Sequence, residues 1–450
     1  MNDVRTGITA RAGFALAVLF AVNLLNFFDR QLPGALGEPI RREFGLSDTA
    51  LGLLGTVFTL VYAAVGLPFG RLTDRWIRTR LIAIGVTAWS LLTAASGLAW
   101  NYATLFATRL GVGIGEAACA PACQSLIGDL YPSRRRAFAL GVFMLGLPAG
   151  VCLAYLASGW IGEALGWRAA FLLACVPGLV VAGLVLLIPE PQRGAGDAGA
   201  QVTAGGGKAP IGALLGIPTL WWIIASGALH NFNMYAINAF QTPFLQRFHE
   251  MTLREANNVS ALVLGAVGIV GLLAGGWASD RLSARRPDGR LLLSAVTMLA
   301  AAPCVFLALA QPKGAIGGFV LLMGLGIMVS FVYYATVYAA IQDVVEPELR
   351  GTAVAVYFFA MYVLGASLGP VATGMLSDHF ARQAMQAAGA SEMAEPFRAA
   401  GLHDAMYVIP VLMTACALVL FAGSRTVAAD MQRRGRILQP LPLDGASPRA

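Results

Sequence analysis

Apolar residues are arranged along this chain in runs of about 20, separated by short polar segments, and this spacing is typical of helices that cross a lipid bilayer. The runs begin near residues 13, 50, 81, 103, 137, 167, 219, 256, 291, 315, 352 and 405. The pattern therefore predicts an all-α membrane protein with twelve transmembrane helices, the first to the twelfth span in chain order.

The composition agrees with this class of protein. Of 450 residues, 57% are hydrophobic and only 12% are charged, which excludes an ordinary soluble domain. The six cysteines all lie within apolar runs, without a CxxC pair or a histidine cluster beside them. We therefore interpret them as packing residues and expect neither a metal nor a cofactor.

The distribution of Lys and Arg predicts how the spans are oriented. An even number of spans places both termini on one side, and 21 of the 31 basic residues lie at that end, against 8 in the opposite loops. Because basic loops stay in the cytoplasm, we expect a multi-pass protein of the inner (plasma) membrane with both termini cytoplasmic. This topology explains the net charge of +7, so a nucleic-acid partner is unnecessary.

The two halves of the chain repeat each other. Gly70–Arg75 follows the second span, and a related hexapeptide, Gly276–Arg281, follows the eighth. The repeat predicts two six-helix bundles related by pseudo-two-fold symmetry. We expect an N-terminal bundle at 1–188, a glycine-containing linker at 189–215, a C-terminal bundle at 216–425 and a cytoplasmic tail at 426–450.

The first span carries an acid and a base deep within a hydrophobic helix. Asn23, Asn26 and Arg30 share one face, and Asp29 lies beside it. Ionisable residues at this depth are costly and often mark transport pathways. The alternatives are a polar clamp between helices or a self-neutralising Asp-Arg pair. The second is weaker because neighbours on a helix diverge by about 100°, and we favour a functional role over both.

Polar residues also concentrate in the fourth, seventh and tenth spans. These and the first span are equivalent members of a three-helix repeat, which in transporters surrounds a binding site at the membrane midplane. The predicted substrate-binding residues are Asn26, Arg30, Arg109, His230, Asn231, Tyr235, Asn238, Gln241, Tyr334 and Tyr338. For the seventh span, amides that merely bridge helices are an equal alternative, and the tyrosines suit packing as well as ligand contact.

Asp29 and Glu116 are the predicted proton-coupling residues. The sequence has no ATP-binding loop, so an ion or substrate gradient has to supply the energy. Burial favours a neutral carboxyl group whereas a nearby arginine favours the ionised one, and this balance makes a proton exchangeable. We expect an anionic substrate to compete with these carboxylates for Arg30 and Arg109.

The chain resembles the major facilitator superfamily over most of 12–425. The motif Gly-x-Leu-x-Asp-Arg-x-x-Arg begins at Gly70, and its degenerate copy follows the eighth span. Asn26–Arg30 and Arg109–Ala117 resemble the Spinster branch of that superfamily. This sequence departs from the pattern at Ile77, where the superfamily has glycine, and at Cys119 and Pro121.

The resemblance implies a conformational latch between the halves on the cytoplasmic side, which locks the outward-open state. Its predicted members are Gly70, Asp74, Arg75, Arg135, Asp280 and Arg281. The alternative, basic loop charge alone, accounts for the arginines but not for the repeated aspartates.

The resemblance further implies a monomeric, proton-coupled transporter of a lysophospholipid or sphingosine-phosphate type of substrate, working by alternating access. A drug or small organic-anion transporter is the alternative, and a purely hydrophobic tail tunnel would argue against it. A membrane-embedded lipid-modifying enzyme is the third hypothesis. The sequence offers no nucleophile-base pair for such an enzyme, so we do not expect catalysis. The expected partners are the substrate, protons and the lipid bilayer.

Overall fold

The computed structural model describes residues 2–193, 212–346 and 349–438, and these are helical wherever they form regular structure. The helices of the first half are Asn2–Ala35, Gly37–Phe44, Asp48–Arg75, Arg78–Gly97, Tyr102–Ala117, Cys119–Leu130, Ser133–Met144, Gly146–Leu165 and Trp167–Leu186. Those of the second half are Gly212–Leu215, Pro218–Phe248, Leu253–Ser260, Val267–Ser283, Gly289–Leu309, Ile316–Ser330, Val332–Val344, Arg350–Ala360, Leu368–Ala387, Glu395–Met406 and Val408–Leu438. Helices therefore occupy all twelve predicted positions.

Several spans consist of two helical pieces. The fourth, fifth, tenth and twelfth are interrupted at Ala118, Leu145, Phe331 and Tyr407. The eighth and eleventh instead contain a π-helical turn, at Ala261–Ala266 and Met361–Ala366. Such turns add a residue to a helical turn and occur frequently at functional sites.

Eleven of the spans are long and apolar enough to cross a membrane. The seventh, Pro218–Phe248, is not among them, because its amide and histidine side chains lower its mean hydropathy. These side chains are largely buried within the protein. A span with this composition belongs in the interior of a bundle rather than against lipid.

The two halves meet at the end of the molecule opposite the termini. There the second span packs against the eleventh, and the fifth packs against the eighth. A side chain at Gly52 would collide with the Pro370 carbonyl, and one at Gly374 would collide with that of Asp48. The absence of a Cβ at these two positions is what lets the second and eleventh spans touch backbone to backbone.

The end that carries the termini is arranged differently. Arg78 is fully buried there and donates to Asp129 and Glu190 within the first half. Arg290 pairs with Asp343 within the second half. Among the residues that the structure describes, no ion pair joins the two halves at this end, and helices of the two halves do not pack closely there. The space between the halves therefore opens towards this end.

Candidate functional site

An ion pair between the first and fourth spans lies near the centre of the molecule. Arg30 Nε donates to Glu116 Oε2 at 2.9 Å, and the two side chains are only 5% and 0% exposed. Asn26 is buried beside the same carboxylate. The structure thus brings together three predicted site residues, and the acid that Arg30 contacts comes from another span.

The second acid and the second base of this region are not paired with each other by a hydrogen bond. Arg109 is 1% exposed, and its Nε and Nη1 have no hydrogen-bond partner. Asp29 is 2% exposed, and its Oδ1 also has none. A buried polar group without a partner costs free energy. We call Asp29, Arg30, Arg109 and Glu116 the charge cluster, and its hydrogen bonding is incomplete.

Aromatic rings surround the Arg30 guanidinium. Its Cζ lies 4.3 Å from the centre of the Tyr62 ring, 4.9 Å from that of Phe27 and 5.3 Å from that of Phe58. Arg109 lies 5.2 Å from the centre of Phe58. Ring faces attract cations, more strongly where water is excluded. The rings therefore help to keep two arginines charged within the membrane.

The aromatic set continues into the second half. The ring centres of Tyr62 and Tyr362 are 5.3 Å apart, across the boundary between the halves, and Tyr235 lies 6.4 Å from Tyr362. Tyr362 belongs to the π-helical turn of the eleventh span. The turn therefore positions a ring close to Arg30.

The tenth span extends the same surface. Tyr338 lies 5.6 Å from Phe358 and 6.2 Å from Tyr334 between ring centres. Tyr334 in turn makes an edge-to-face contact with His230 at 4.8 Å. The predicted tenth-span tyrosines are half-buried, so part of each ring faces the space between the helices.

The seventh-span residues divide into two groups. The amides of Asn231 and Gln241 are buried. Asn231 donates to the Gly227 carbonyl of its own helix and to Met361 of the eleventh span, and Gln241 donates to Ser260 of the eighth span. Tyr235 and Asn238 are half-buried and face the first half, where Tyr155 donates to the Asn238 carbonyl at 2.7 Å.

His230 stands apart from both groups. Its ring stacks on Tyr333 with the centres 4.1 Å apart, and neither ring nitrogen has a hydrogen-bond partner. It is 1% exposed, so the structure places it behind the tyrosines rather than in the open space.

The predicted latch residues lie at the end that carries the termini. Arg75 and Arg135 are exposed, Asp280 lies 3.3 Å from Arg290, and Arg281 lies over the Trp277 ring at 4.4 Å. Gly70 is half-buried in the second span. The Asp74 side chain lies outside the part that the structure describes. The latch therefore stays a prediction.

A buried charge network at the opposite end is absent from the sequence prediction. Arg247, at the end of the seventh span, donates through both Nη atoms to Asp48 at 2.8 Å and through Nε to Glu38 at 2.6 Å. All three side chains are 1–2% exposed. We call Glu38, Asp48 and Arg247 the gate cluster, because it joins the two halves.

Neighbouring groups complete the gate cluster. Ser377 donates to Asp48, and Arg41 donates to Glu38 and to Glu395 of the other half. Burial alone would raise the pKa of Glu38, but the hydrogen bonds and charges of Arg41 and Arg247 outweigh it and lower that pKa to about 2. Glu38 is therefore ionised at every physiological pH.

Comparison with known proteins identifies relatives along most of the chain. Residues 19–370 match the model of the Major Facilitator Superfamily. An MFS-type efflux pump of Mycolicibacterium smegmatis is 35% identical over 371 residues, which are 82% of this chain and 85% of that protein. Protein spinster homolog 3 of Danio rerio is 31% identical over 395 residues, covering 84% and 79%.

A solved structure has the same fold. A bacterial homologue of the human lysosomal transporter Spinster, in an inward-facing and unoccupied conformation, superimposes with a TM-score of 0.81. The sequences are 28% identical, and the match covers 93% of this chain and 98% of the other.

Proposed function

Because this chain belongs to the Major Facilitator Superfamily and to its Spinster branch, and is therefore a transporter rather than an enzyme, we propose that it is a proton-coupled secondary transporter of an anionic amphiphile. The inner (plasma) membrane is the proposed location, and the substrate, protons and bilayer are its partners. The charge cluster is the observation that carries this proposal.

The charge balance of the cluster supplies the coupling. When its two acids and two arginines are all ionised, the charge cluster has no net charge. A net charge in this buried region is costly. An anion that enters adds a negative charge, and one proton on a carboxylate restores neutrality. The proposal therefore pairs one proton with each negative charge of the substrate, moving in the same direction.

Glu116 is the proposed site of that proton exchange. It shares Arg30 with the incoming anion, and the arginine fork matches the geometry of carboxylate and phosphate groups. When the anion takes Arg30, Glu116 loses its cation and accepts a proton. Arg109, whose Nε and Nη1 are unpartnered, offers a second donor set to the same anion, and Asp29 adjusts the charge beside it.

Alternating access follows from where the halves touch. The gate cluster closes the end opposite the termini, and the Lys and Arg distribution assigns the open end to the cytoplasm. We infer that this conformation is inward-facing, like that of the similar bacterial Spinster homologue. The latch residues around Asp74 are proposed to close the cytoplasmic end in the opposite conformation.

The cargo has two candidate classes. The first is the lysolipid type of substrate that the sequence resemblance to the Spinster branch implies. A drug or small organic anion is the second candidate, because the M. smegmatis relative is named an efflux pump and because tyrosines line the space beside Arg30.

Uptake into proteoliposomes tests the proposal. Labelled lysophosphatidate and a labelled hydrophilic organic anion are each offered with and without a pH gradient. We expect gradient-dependent accumulation of at least one of them, lost in the double variant Asp29→Asn/Glu116→Gln. Accumulation that ignores the gradient, or full proton-driven transport by the double variant, would refute the coupling role of the charge cluster.

A further inference from the structure

Five tyrosines form a continuous surface beside Arg30 at mid-depth of their spans. They come from the second, seventh, tenth and eleventh spans, and all are half-buried. The set, which we call the tyrosine surface, is Tyr62, Tyr235, Tyr334, Tyr338 and Tyr362. Because Tyr62 contacts Tyr362 across the boundary between the halves, the accessible ring areas face the space between the halves rather than lipid.

The hydroxyl groups distinguish these tyrosines from packing residues. Tyr333 and Tyr357 are fully buried, and their hydroxyls bond to each other and to Ser226. Tyr155 is also fully buried and bonds to a backbone carbonyl. By contrast, the hydroxyls of four members of the tyrosine surface bond to no other residue in the described ranges: Tyr235, Tyr334, Tyr338 and Tyr362.

Partnered hydroxyls are the rule for tyrosines that serve only as packing, since a buried hydroxyl without a partner is costly. Unpartnered hydroxyls on several half-buried rings that lie together beside Arg30 therefore form a surface that a polar, ring-bearing molecule can complete. A saturated chain gains little from such a surface, because it neither accepts hydrogen bonds nor stacks.

A groove lined by aliphatic side chains lies elsewhere in the molecule. A groove between the eighth and tenth spans is lined by Leu262, Val263, Val267, Val320, Leu321, Gly324, Leu325 and Met328. Its leucines are well exposed on the outside of the second half. No member of the tyrosine surface lines this groove. The groove opens on the outside of the second half, whereas the rings beside Arg30 are aromatic and carry hydroxyl groups.

We propose that the substrate is a planar aromatic anion, whose acidic group pairs with Arg30 while its ring packs against Tyr362, Tyr235 and Tyr338. This inference rests on the proposed function and names its substrate class. Ring centres within the surface are 5.3–6.4 Å apart, the spacing of offset and edge-to-face aromatic pairs.

The distances limit the shape of such a substrate. The Arg30 Cζ lies 4.3 Å from the Tyr62 ring centre, and that ring lies 5.3 Å from Tyr362. The acidic group therefore sits on the ring system or a few bonds from it. Hydroxyl or carbonyl groups on the far edge of the ring find their partners in Tyr334 and Tyr338.

Matched probes test the inference on the full chain in lipid nanodiscs. The aromatic probe is 6-hydroxynaphthalene-2-sulfonate, and the saturated probe is octyl sulfate, which carries a similar acidic group. Affinities are measured by calorimetry, with empty nanodiscs as the control for partition into lipid. We expect the aromatic probe to bind about tenfold more tightly, since stacking and hydrogen bonds add to the shared ion pair.

Variants assign the difference to the surface. Tyr362→Leu should weaken the aromatic probe about tenfold and the saturated probe less than twofold, whereas Tyr362→Phe should retain most of the aromatic affinity. Tyr407→Leu, a half-buried tyrosine in the twelfth span away from Arg30, should change neither. Thermal unfolding of each variant confirms that it is folded, and Tyr338→Leu provides an independent replacement.

The outcomes separate this inference from the proposed function. Equal affinities for both probes, or a Tyr362→Leu effect that is the same for both, would overturn the aromatic substrate class. Proton-driven uptake of the saturated anion would then still support anion transport. If Arg30→Ala leaves the binding of both probes unchanged, the anion site itself is wrong, and the inference falls with it.

Discussion

Removing the arginine of the gate cluster should open the end of the molecule that it closes. In Arg247→Ala, Glu38 keeps Arg41 as a partner. Asp48, whose side chain is only 2% exposed, loses the arginine that bonds to both of its carboxylate oxygens. Breaking a buried ion pair in this way costs about 3–5 kcal/mol, and we take the lower value because Glu38 remains paired. In the proposed alternating-access cycle these contacts break when this end opens, so the cost falls on the conformational equilibrium.

A change of about 3 kcal/mol shifts that equilibrium roughly 100-fold towards the state that is open at the opposite end. The assay uses a cysteine-free background with Ala239→Cys, a half-buried position next to the contact of the seventh span with Gly34. A membrane-impermeant maleimide is added on the side opposite the termini. Labelling should be slow in the parent protein and much faster in Arg247→Ala.

Arg254→Ala is the matched control. Arg254 also pairs across the halves at this end, with Glu163 at 3.5 Å, but the two side chains are 44% and 33% exposed. An exposed pair contributes about 1 kcal/mol or less, so its loss should change labelling only slightly. Equal labelling of the two variants, or an unchanged rate in Arg247→Ala, would refute the assignment of closure to the gate cluster.

Three further predictions concern the gate cluster, the charge cluster and the latch. Closure should not vary between about pH 5 and 8: the pKa of Glu38 is lowered from 4.5 to about 2, so its contribution is fully present above 4.5 and is lost only as the pH falls towards 2. A labelling rate that decreased gradually between pH 5 and pH 8 at the introduced cysteine would contradict this prediction. The pH dependence of transport should instead disappear in Asp29→Asn and Glu116→Gln. Arg30→Ala should chiefly raise the Kd of the anionic substrate. Uptake and binding measured on the same preparations distinguish these effects. Asp74→Asn should favour the inward-open state and slow turnover without lowering expression, and unchanged reactivity of cysteine probes at the end carrying the termini would count against a latch.

The number and order of the spans were predictable because each span has to shield its backbone from lipid with a long apolar run. Even the seventh span, whose hydropathy is low, is flanked by polar loops that mark its ends. The interruption at Ala118 lies three residues before Pro121, and the π-helical turn Met361–Ala366 ends four residues before Pro370. A proline lacks the N–H that would bond to the fourth residue before it, so these two irregularities have a local signal. The interruption at Phe331 and the turn Ala261–Ala266 have no proline nearby and were not predicted.

The ionisable residues of the site were found for an energetic reason: Asp29, Arg30, Arg109 and Glu116 are too costly in lipid to be incidental. The pairing of Arg30 with Glu116 was not predictable, since it depends on how the first and fourth spans are rotated about their axes. Tyr62 and Tyr362 were not predicted because they lie in the second and eleventh spans, outside the four spans from which the site residues were taken. Their role near Arg30 appears only when the two halves are brought together.

The gate cluster was missed for a different reason. Each of its members lies at or beside the end of a span, where charged residues are ordinary, and Arg247 is far along the chain from the two acids. Arg247 was interpreted only as one of the basic residues of the loops opposite the termini. The sequence contains one indication of the cluster, since Glu38 and Asp48 flank the loop that follows the charged first span. No spacing rule, however, connects these two acids to Arg247.

The backbone contacts at Gly52 and Gly374 bear on how fast the molecule can change state. Where the second and eleventh spans touch, main chain meets main chain, and no large side chain from either helix is inserted into the other at these points. The helices can therefore separate and return without rotamer changes, which makes steric disengagement a small part of the activation barrier. Opening at this end then requires Arg247 to leave its two carboxylates and Asp378 to lose its hydrogen bonds to the backbone N–H groups of Asp48 and Thr49. A bulky residue at either glycine would obstruct the return.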